Sequence, residues 1–185
     1  MGNILILYHS QTGNTRAMAD LVAEGAGKVP GMNIKCLSLK EAKPADLLWC
    51  DGIALGAPTH LGVAPWQMVQ WWTKATSKAW RHVDGKIGCA FSSSGGWGGG
   101  NEMTVQSLLK IMMNFGILVF GATDYTGKKT TLHYGAVAAG KPGTAREKQA
   151  CRRLGRRLAE WVAVLVDGQK DQSPHKVKYN RFKRS

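Results

Sequence analysis

Ser10-Gln11-Thr12-Gly13-Asn14-Thr15 brings hydroxyls, amides and a run of backbone N–H groups to the start of a helix-like stretch. Unsatisfied donors and the helix dipole favour an anion there, so the turn suits a phosphate group and needs no Lys or Arg to hold it. The plain alternative is a capped helix after a turn, where Ser, Thr and Asn are common anyway. A second turn reads Gly56-Ala57-Pro58-Thr59-His60-Leu61-Gly62. A third, Ser92-Ser93-Ser94-Gly95-Gly96-Trp97-Gly98-Gly99-Gly100-Asn101, sets five glycines around one tryptophan. So much glycine costs chain entropy, and the return is close approach of bare backbone to a flat ligand. A flexible loop with an exposed Trp97 is the other reading.

Two rival phosphate motifs fail. The dinucleotide fingerprint G-x-G-x-x-G is absent after the first strand, which has Gly13 alone. Gly135 to Lys141 fits the opening of a P-loop, but Pro142 stands where the magnesium-binding Ser or Thr belongs, and no convincing strand precedes Gly135. Metal chemistry is not indicated. Cys36, Cys50, Cys89 and Cys151 form no C-x-x-C pair and sit in apolar stretches, and the histidines are scattered.

The turns need a frame. Asn3 to Tyr8 is a continuous apolar run, as in a strand buried on both faces. Asn33 to Ser38, Asp51 to Gly56, Lys86 to Phe91 and Ile117 to Phe120 read as four more strands. Between them, helical spacing appears at Ala17/Met18, Leu21/Val22 and Gly25/Ala26, for perhaps one turn from Ala45 to Trp49, and at Trp66, Val69 and Trp72. Pro65 suits the first position of that last helix. A further helix runs from Glu102 to about Asn114. A closing helix buries Cys151, Leu154, Leu158, Trp161, Val162 and Leu165. Strand–helix alternation implies an α/β fold: a five-stranded parallel sheet with helices on both faces and its ligand at the carboxyl edge. The connection from Gly121 to Gly143 is long enough to be functional or partly ordered.

At 185 residues, 44% hydrophobic and 20% charged, the chain is an ordinary globular domain. Residues 1–168 make one domain, followed by a basic tail, 169–185. No apolar run reaches the ~20 residues of a membrane span, so a cytoplasmic location is expected. The net charge of +13 is uneven: residues 1–140 carry 12 basic and 8 acidic groups, residues 141–185 carry 13 and 4. The tail could meet an acidic partner or be a solvated segment.

The three turns, in this order, resemble those of flavodoxin-like flavoproteins, with a closer likeness to the WrbA-type NAD(P)H:quinone oxidoreductases. The resemblance runs nearly to Val166 and implies a flavodoxin-like three-layer sandwich that binds FMN. Ser10, Gln11, Thr12, Gly13, Asn14 and Thr15 would hold its phosphate. Pro58, Thr59, His60, Leu61 and Gly62 would flank the isoalloxazine. Ser93, Ser94, Gly95, Gly96, Trp97, Gly98 and Gly99 would wrap its other edge. Trp80 falls where that family has a tryptophan on the substrate side, and Tyr134-Gly135-Ala136 looks like its Y-G-A segment. Asn114-Phe115 replaces the family's paired histidines, Asn101 replaces a Gln, and Thr12 stands in place of an aromatic.

The implied activity is electron transfer from NADH or NADPH to a quinone or similar acceptor, by a ping-pong hydride mechanism. His60 is the candidate hydrogen-bonding or proton-relay residue, with an exposed loop histidine as the alternative. Trp80, Trp97, His133 and Tyr134 are candidates to line the substrate pocket, although Trp80 equally suits core or subunit packing. The rival reading is a flavodoxin-type electron carrier without substrate turnover of its own. The resemblance also implies a homodimer or homotetramer, for which Trp66, Trp71 and Trp72 could form an interface, unless they are intramolecular core.

Overall fold

The computed structural model describes residues 1–77, 79–126 and 130–174. A parallel sheet lies between two helical layers, as expected. Its strands are β1 (Gly2–Tyr8), β2 (Met32–Ser38), β3 (Gly52–Pro58), β4 (Ile87–Ser94) and β5 (Leu118–Val119), in the order β2-β1-β3-β4-β5. The pleat sorts each strand's residues between the two faces. Ile4, Ile6 and Tyr8 of β1 pack towards α1 (Asn14–Ala26) and α5 (Ala145–Leu165). Leu5 and Leu7 pack towards α2 (Pro44–Trp49), α3 (Trp66–Thr76) and α4 (Asn101–Met113). Both faces of β1 are buried, which is why its sequence is an unbroken apolar run.

The fifth strand position differs from the expectation. Only Leu118 and Val119 pair with β4, against Ile87 and Gly88. The chain then leaves the sheet, forms an antiparallel pair of β6 (Ala122–Tyr125) and β7 (Thr131–Leu132), and returns as β8 (Ala136–Ala139). β8 lies parallel to β4 and pairs with Phe91 to Ser94, so two strands share one flank of β4. The 121–143 connection is therefore largely structured, and the P-loop look-alike contains a strand. Gly135 packs against the Ala90 carbonyl, where a Cβ would not fit.

Three helical expectations need correction. Pro65 caps α3 rather than opening it, and the buried stripe of α3 is Met68, Trp72 and Ala75. Trp66 and Val69 lie off that stripe and are exposed. Trp71 is half-buried and donates through Nε1 to the Ala42 carbonyl at 3.4 Å. Trp71 and Trp72 thus pack within the chain, leaving Trp66 as the exposed member of the trio. In α5, Leu165 is exposed and Trp161 half-buried. That helix starts on a capping box: Glu147 N–H donates to Thr144 Oγ1, and Thr144 N–H donates to the Glu147 carboxylate. Three of its arginines, Arg153, Arg156 and Arg157, surround the buried Glu160 at 2.9–3.5 Å.

The four cysteines are free thiols, and burial pushes Cys36, Cys50 and Cys151 up to about 12. Among the described residues no group of His, Cys, Asp and Glu could hold a metal, and no helix is long and apolar enough to cross a membrane. Residues 169–172 fold back on α5, with Gln169 N–H donating to the Ala163 carbonyl. Five of the tail's basic residues, from Lys176 to Arg184, lie outside the described residues.

Candidate functional site

Parallel strands with short βα turns bring the three turns together at the carboxyl edge of β1, β3 and β4. α1 begins inside the first turn, at Asn14, so the N–H groups of its first turn lack intrahelical acceptors. Gly13 adopts φ 85°, a left-handed conformation suited to glycine, and nothing lies within 4 Å of where its Cβ would stand. Gly13 N–H donates to Ser10 Oγ at 3.1 Å, curling the turn into a cradle.

The second turn is a tight reversal in which His60 and Val63 exchange backbone hydrogen bonds across Leu61 and Gly62. Leu61 has φ 51°, making it the non-glycine residue with positive φ among those described, and its side chain is fully exposed. Strained backbone of this kind concentrates at ligand-contacting positions. The third turn leaves β4 through Ser94, whose hydroxyl donates to the Gly96 carbonyl at 2.7 Å. Gly95, Gly96 and Gly98 present backbone to open space, and Trp97 is 64% exposed.

Hydroxyl contacts tie the turns to one another. Thr15 Oγ1 and Ser93 Oγ lie 2.8 Å apart, joining the first turn to the third. Thr59 N–H donates to the Ser93 carbonyl at 2.8 Å, joining the second to the third. Thr104 Oγ1 donates to Thr59 Oγ1 at 3.1 Å, and Thr59 Oγ1 lies 3.3 Å from Ser92 Oγ. Thr104 was not among the residues expected to form the site. No local pattern marks Thr104, whose role depends on α4 crossing behind the second turn.

Two further polar groups have no partner. Asn101 is buried at the foot of the third turn, and its Nδ2 makes no hydrogen bond. His9 follows β1 directly, and its buried Nε2 is likewise unpaired. Burial, reinforced by the nearby His60 and Lys40, holds the His9 imidazole below its ordinary proton affinity. A histidine immediately after the first strand, one residue before the phosphate-type turn, was a readable signal that the sequence reading passed over.

One expected residue, Trp80, is not brought to this cleft. Trp80 lies between α3 and β4, with its ring 4.9 Å from that of Phe115 in an edge-on contact, at the amino edge of the sheet. Asn114 and Phe115 follow α4 at that same far end. Within one chain neither Trp80 nor Asn114-Phe115 can face the turns, because the length of β4 separates them. His133 and Tyr134 precede β8, and Tyr134 is five residues before Ala139, the partner of Ser94. Thr130 and Thr131, shortly before them, line a pocket together with Trp97 of the third turn and Glu102 of α4. Trp97, of the same substrate-pocket group, stands in the third turn itself and is exposed.

A bare-backbone rim, a helix-start cradle and unpaired His9 and Asn101 fit a phosphorylated planar cofactor. Comparisons with known proteins agree. The family model described as flavodoxin matches residues 6–166. A flavodoxin of Aquifex aeolicus is 56% identical over 171 residues, 92% of each chain. An NAD(P)H dehydrogenase (quinone) of Archaeoglobus fulgidus is 31% identical over 89% of this chain and 100% of its own. Among solved structures, a flavodoxin from the domain Archaea superposes with TM-score 0.69 at 26% identity, over 86% of this chain and 98% of that one. A WrbA-like flavodoxin from Agrobacterium tumefaciens gives 0.67 at 25% identity, over 87% and 97%. This chain belongs to the flavodoxin family of FMN-type flavoproteins.

Proposed function

We propose that the protein binds FMN at the joined turns and carries electrons between partner proteins, as a flavodoxin-type carrier. One observation carries this reading: the buried Thr15–Ser93 contact, which holds the phosphate-type turn and the glycine-rich turn in fixed register. When bound, FMN supplies the redox chemistry, and the protein supplies position and electrostatics. The N–H groups at the start of α1, with the Ser10 and Thr15 hydroxyls, would orient the phosphate. Backbone of Pro58 to Gly62 and of Ser93 to Gly99 would flank the ring, and Trp97 would shield one side from water. His60 would be the group that bonds or moves a proton beside the ring, with His9 beneath it.

The second reading is NAD(P)H:quinone oxidoreduction, favoured by full-length coverage of the Archaeoglobus fulgidus relative. In that reading Trp80 would serve a cleft of a neighbouring copy. Its exposure, together with that of Met113 and Leu118, gives the amino edge an apolar face on which a homodimer or homotetramer could form. The carrier reading is preferred because the 56%-identical relative is a flavodoxin and the single-chain cleft lacks those residues.

Visible spectra test both. Apoprotein mixed with FMN should turn yellow and retain the flavin through gel filtration; failure to take it up overturns both readings. Loaded protein that keeps its colour on addition of NADH or NADPH alone, yet bleaches when a flavodoxin reductase is supplied, is the carrier. Prompt bleaching by the nicotinamide alone, reversed by a quinone, would replace it with the enzyme.

A further inference from the structure

The second and third turns carry no formal charge. Between Asp51 and Lys74, and again between Lys86 and Glu102, the sequence has no Asp, Glu, Lys or Arg. Five large apolar side chains on these stretches and the start of α4 nonetheless face solvent: Leu61, Val63, Trp66, Trp97 and Met103 are each more than half exposed. The elements that carry them touch. A Cβ on Gly62 would stand 3.5 Å from Met103, and one on Gly100 would stand 3.2 Å from the Gly62 Cα. Ala64 N–H donates to Ser107 Oγ at 3.1 Å, which holds the chain just before Trp66 against α4. An apolar surface of this kind marks contact with another molecule. Trp66 and Met103 stand outside the residues that would hold the flavin, so the cofactor does not account for them.

Cations flank this apolar centre. Arg16 in the first turn of α1, Lys40 and Lys43 after β2, and Lys141, Arg146 and Lys148 around the start of α5 are all exposed at the same carboxyl edge. Gly140 N–H donates to the Ser94 carbonyl at 2.7 Å, which sets Lys141 beside the root of the third turn. Among the described residues four carboxylates share the edge, and three are engaged. Glu41 accepts from Ser38 N–H at 2.9 Å and Ser38 Oγ at 2.6 Å and lies in the field of Arg16. Asp46 pairs with Lys35 at 2.8 Å, and Glu147 belongs to the cap of α5. Glu102 is the exposed fourth. A second copy of this chain, itself at +13, would bring like charge to this rim, which disfavours self-association there.

We propose that the carboxyl edge is the docking face for an acidic redox protein, whose own contact surface is apolar at the centre and carboxylate-rich around it. The apolar side chains supply the desolvated core of the contact, and the surrounding cations steer and orient the approach. The inference rests on the carrier reading above and adds the chemistry of the partner.

Two haem proteins of opposite charge serve as probes: cytochrome b5, which is acidic, and cytochrome c, which is basic. In stopped flow, FMN-loaded protein reduced by light passes one electron to each ferric haem, giving ferrous haem and flavin oxidised by one electron. The rate with cytochrome b5 should fall about tenfold between roughly 20 and 200 mM salt, and that with cytochrome c should rise or stay level. Lys40→Glu combined with Lys141→Glu should slow the cytochrome b5 reaction about tenfold at low salt. Trp66→Ser combined with Met103→Ser should slow it with the salt dependence retained. A cytochrome b5 rate that rises with salt, or that either pair of substitutions leaves unchanged, overturns the inference. Carbodiimide cross-linking of the full chain to cytochrome b5 joins lysine to carboxylate and needs no flavin. Links at Lys40, Lys43, Lys141 and Lys148 support the docking face; links at Lys28, Lys74, Lys86, Lys110 or the tail lysines overturn it. If the chain takes up no FMN, the carrier reading falls while the cross-links still decide the docking face.

Discussion

Gly25 of α1 and Gly155 of α5 meet where the two helices cross, and neither has room for a side chain. A Cβ on Gly25 would overlap the Arg152 carbonyl oxygen, and one on Gly155 would overlap that of Val22. The helices approach backbone to backbone, which lets one layer cover the β1 face of the sheet behind the first turn.

Gly155→Ala should therefore destabilise the protein although alanine favours a helix. Propensity returns about 1 kcal/mol, while overpacking against backbone costs roughly 1–3 kcal/mol or more. A net loss of up to about 2 kcal/mol is expected in urea unfolding. Unchanged or raised stability would mean that the helices cross less closely than described.

Leu61 should behave in the opposite way. Its left-handed backbone costs about 1–2 kcal/mol relative to glycine, and its exposed side chain buries little in return. Leu61→Gly should stabilise the apoprotein by roughly 0.5–1 kcal/mol after the entropy of the unfolded glycine is counted. Thermal melts of the two proteins decide it, and a lower midpoint for the variant would count against the strain.

Thr15→Val removes both a candidate phosphate donor and the partner of the buried Ser93 hydroxyl. FMN affinity should fall about tenfold. Flavin fluorescence titration reads this directly, and an undiminished affinity would separate the Thr15–Ser93 contact from ligand binding.

His9 gives a pH signature. Its folded-state proton affinity is lowered by burial, with repulsion from His60 and Lys40 adding to it, so below pH ~6.5 the unfolded chain binds more protons there than the folded one. Its contribution to stability is complete above that pH and declines as pH falls towards the folded value. Chemical unfolding at pH 7 and pH 5 should show a smaller loss in His9→Gln than in the unaltered protein. Equal losses would place the burial penalty elsewhere.

Three strands were legible because a strand buried on both faces must be apolar throughout, and β1, β3 and β4 announce themselves in this way. Ile117 to Phe120 has the same composition, yet just two of its residues pair, since the run states burial without stating which neighbour supplies it. Ala136 to Ala139 was overlooked because small residues between glycines carry little strand signal. The turns were legible from their hydroxyls and glycines. The placement of Trp80 was not, because aromatic character implies a contact surface without specifying which end of the sheet it occupies. Thr104 was invisible for a related reason: its hydrogen bond to Thr59 exists only once α4 has docked.

The handover from β5 to β8 gives the sheet margin a natural splice point. The strand before the detour and the strand after it each hold β4 independently, so the intervening stretch can change length without altering the register of Ser92 to Ser94. By loop-closure statistics, doubling such a stretch costs only about 0.6 kcal/mol. Grafted modules, affinity handles or reporter peptides inserted there would ride on the protein's flank while the cofactor crevice kept its shape.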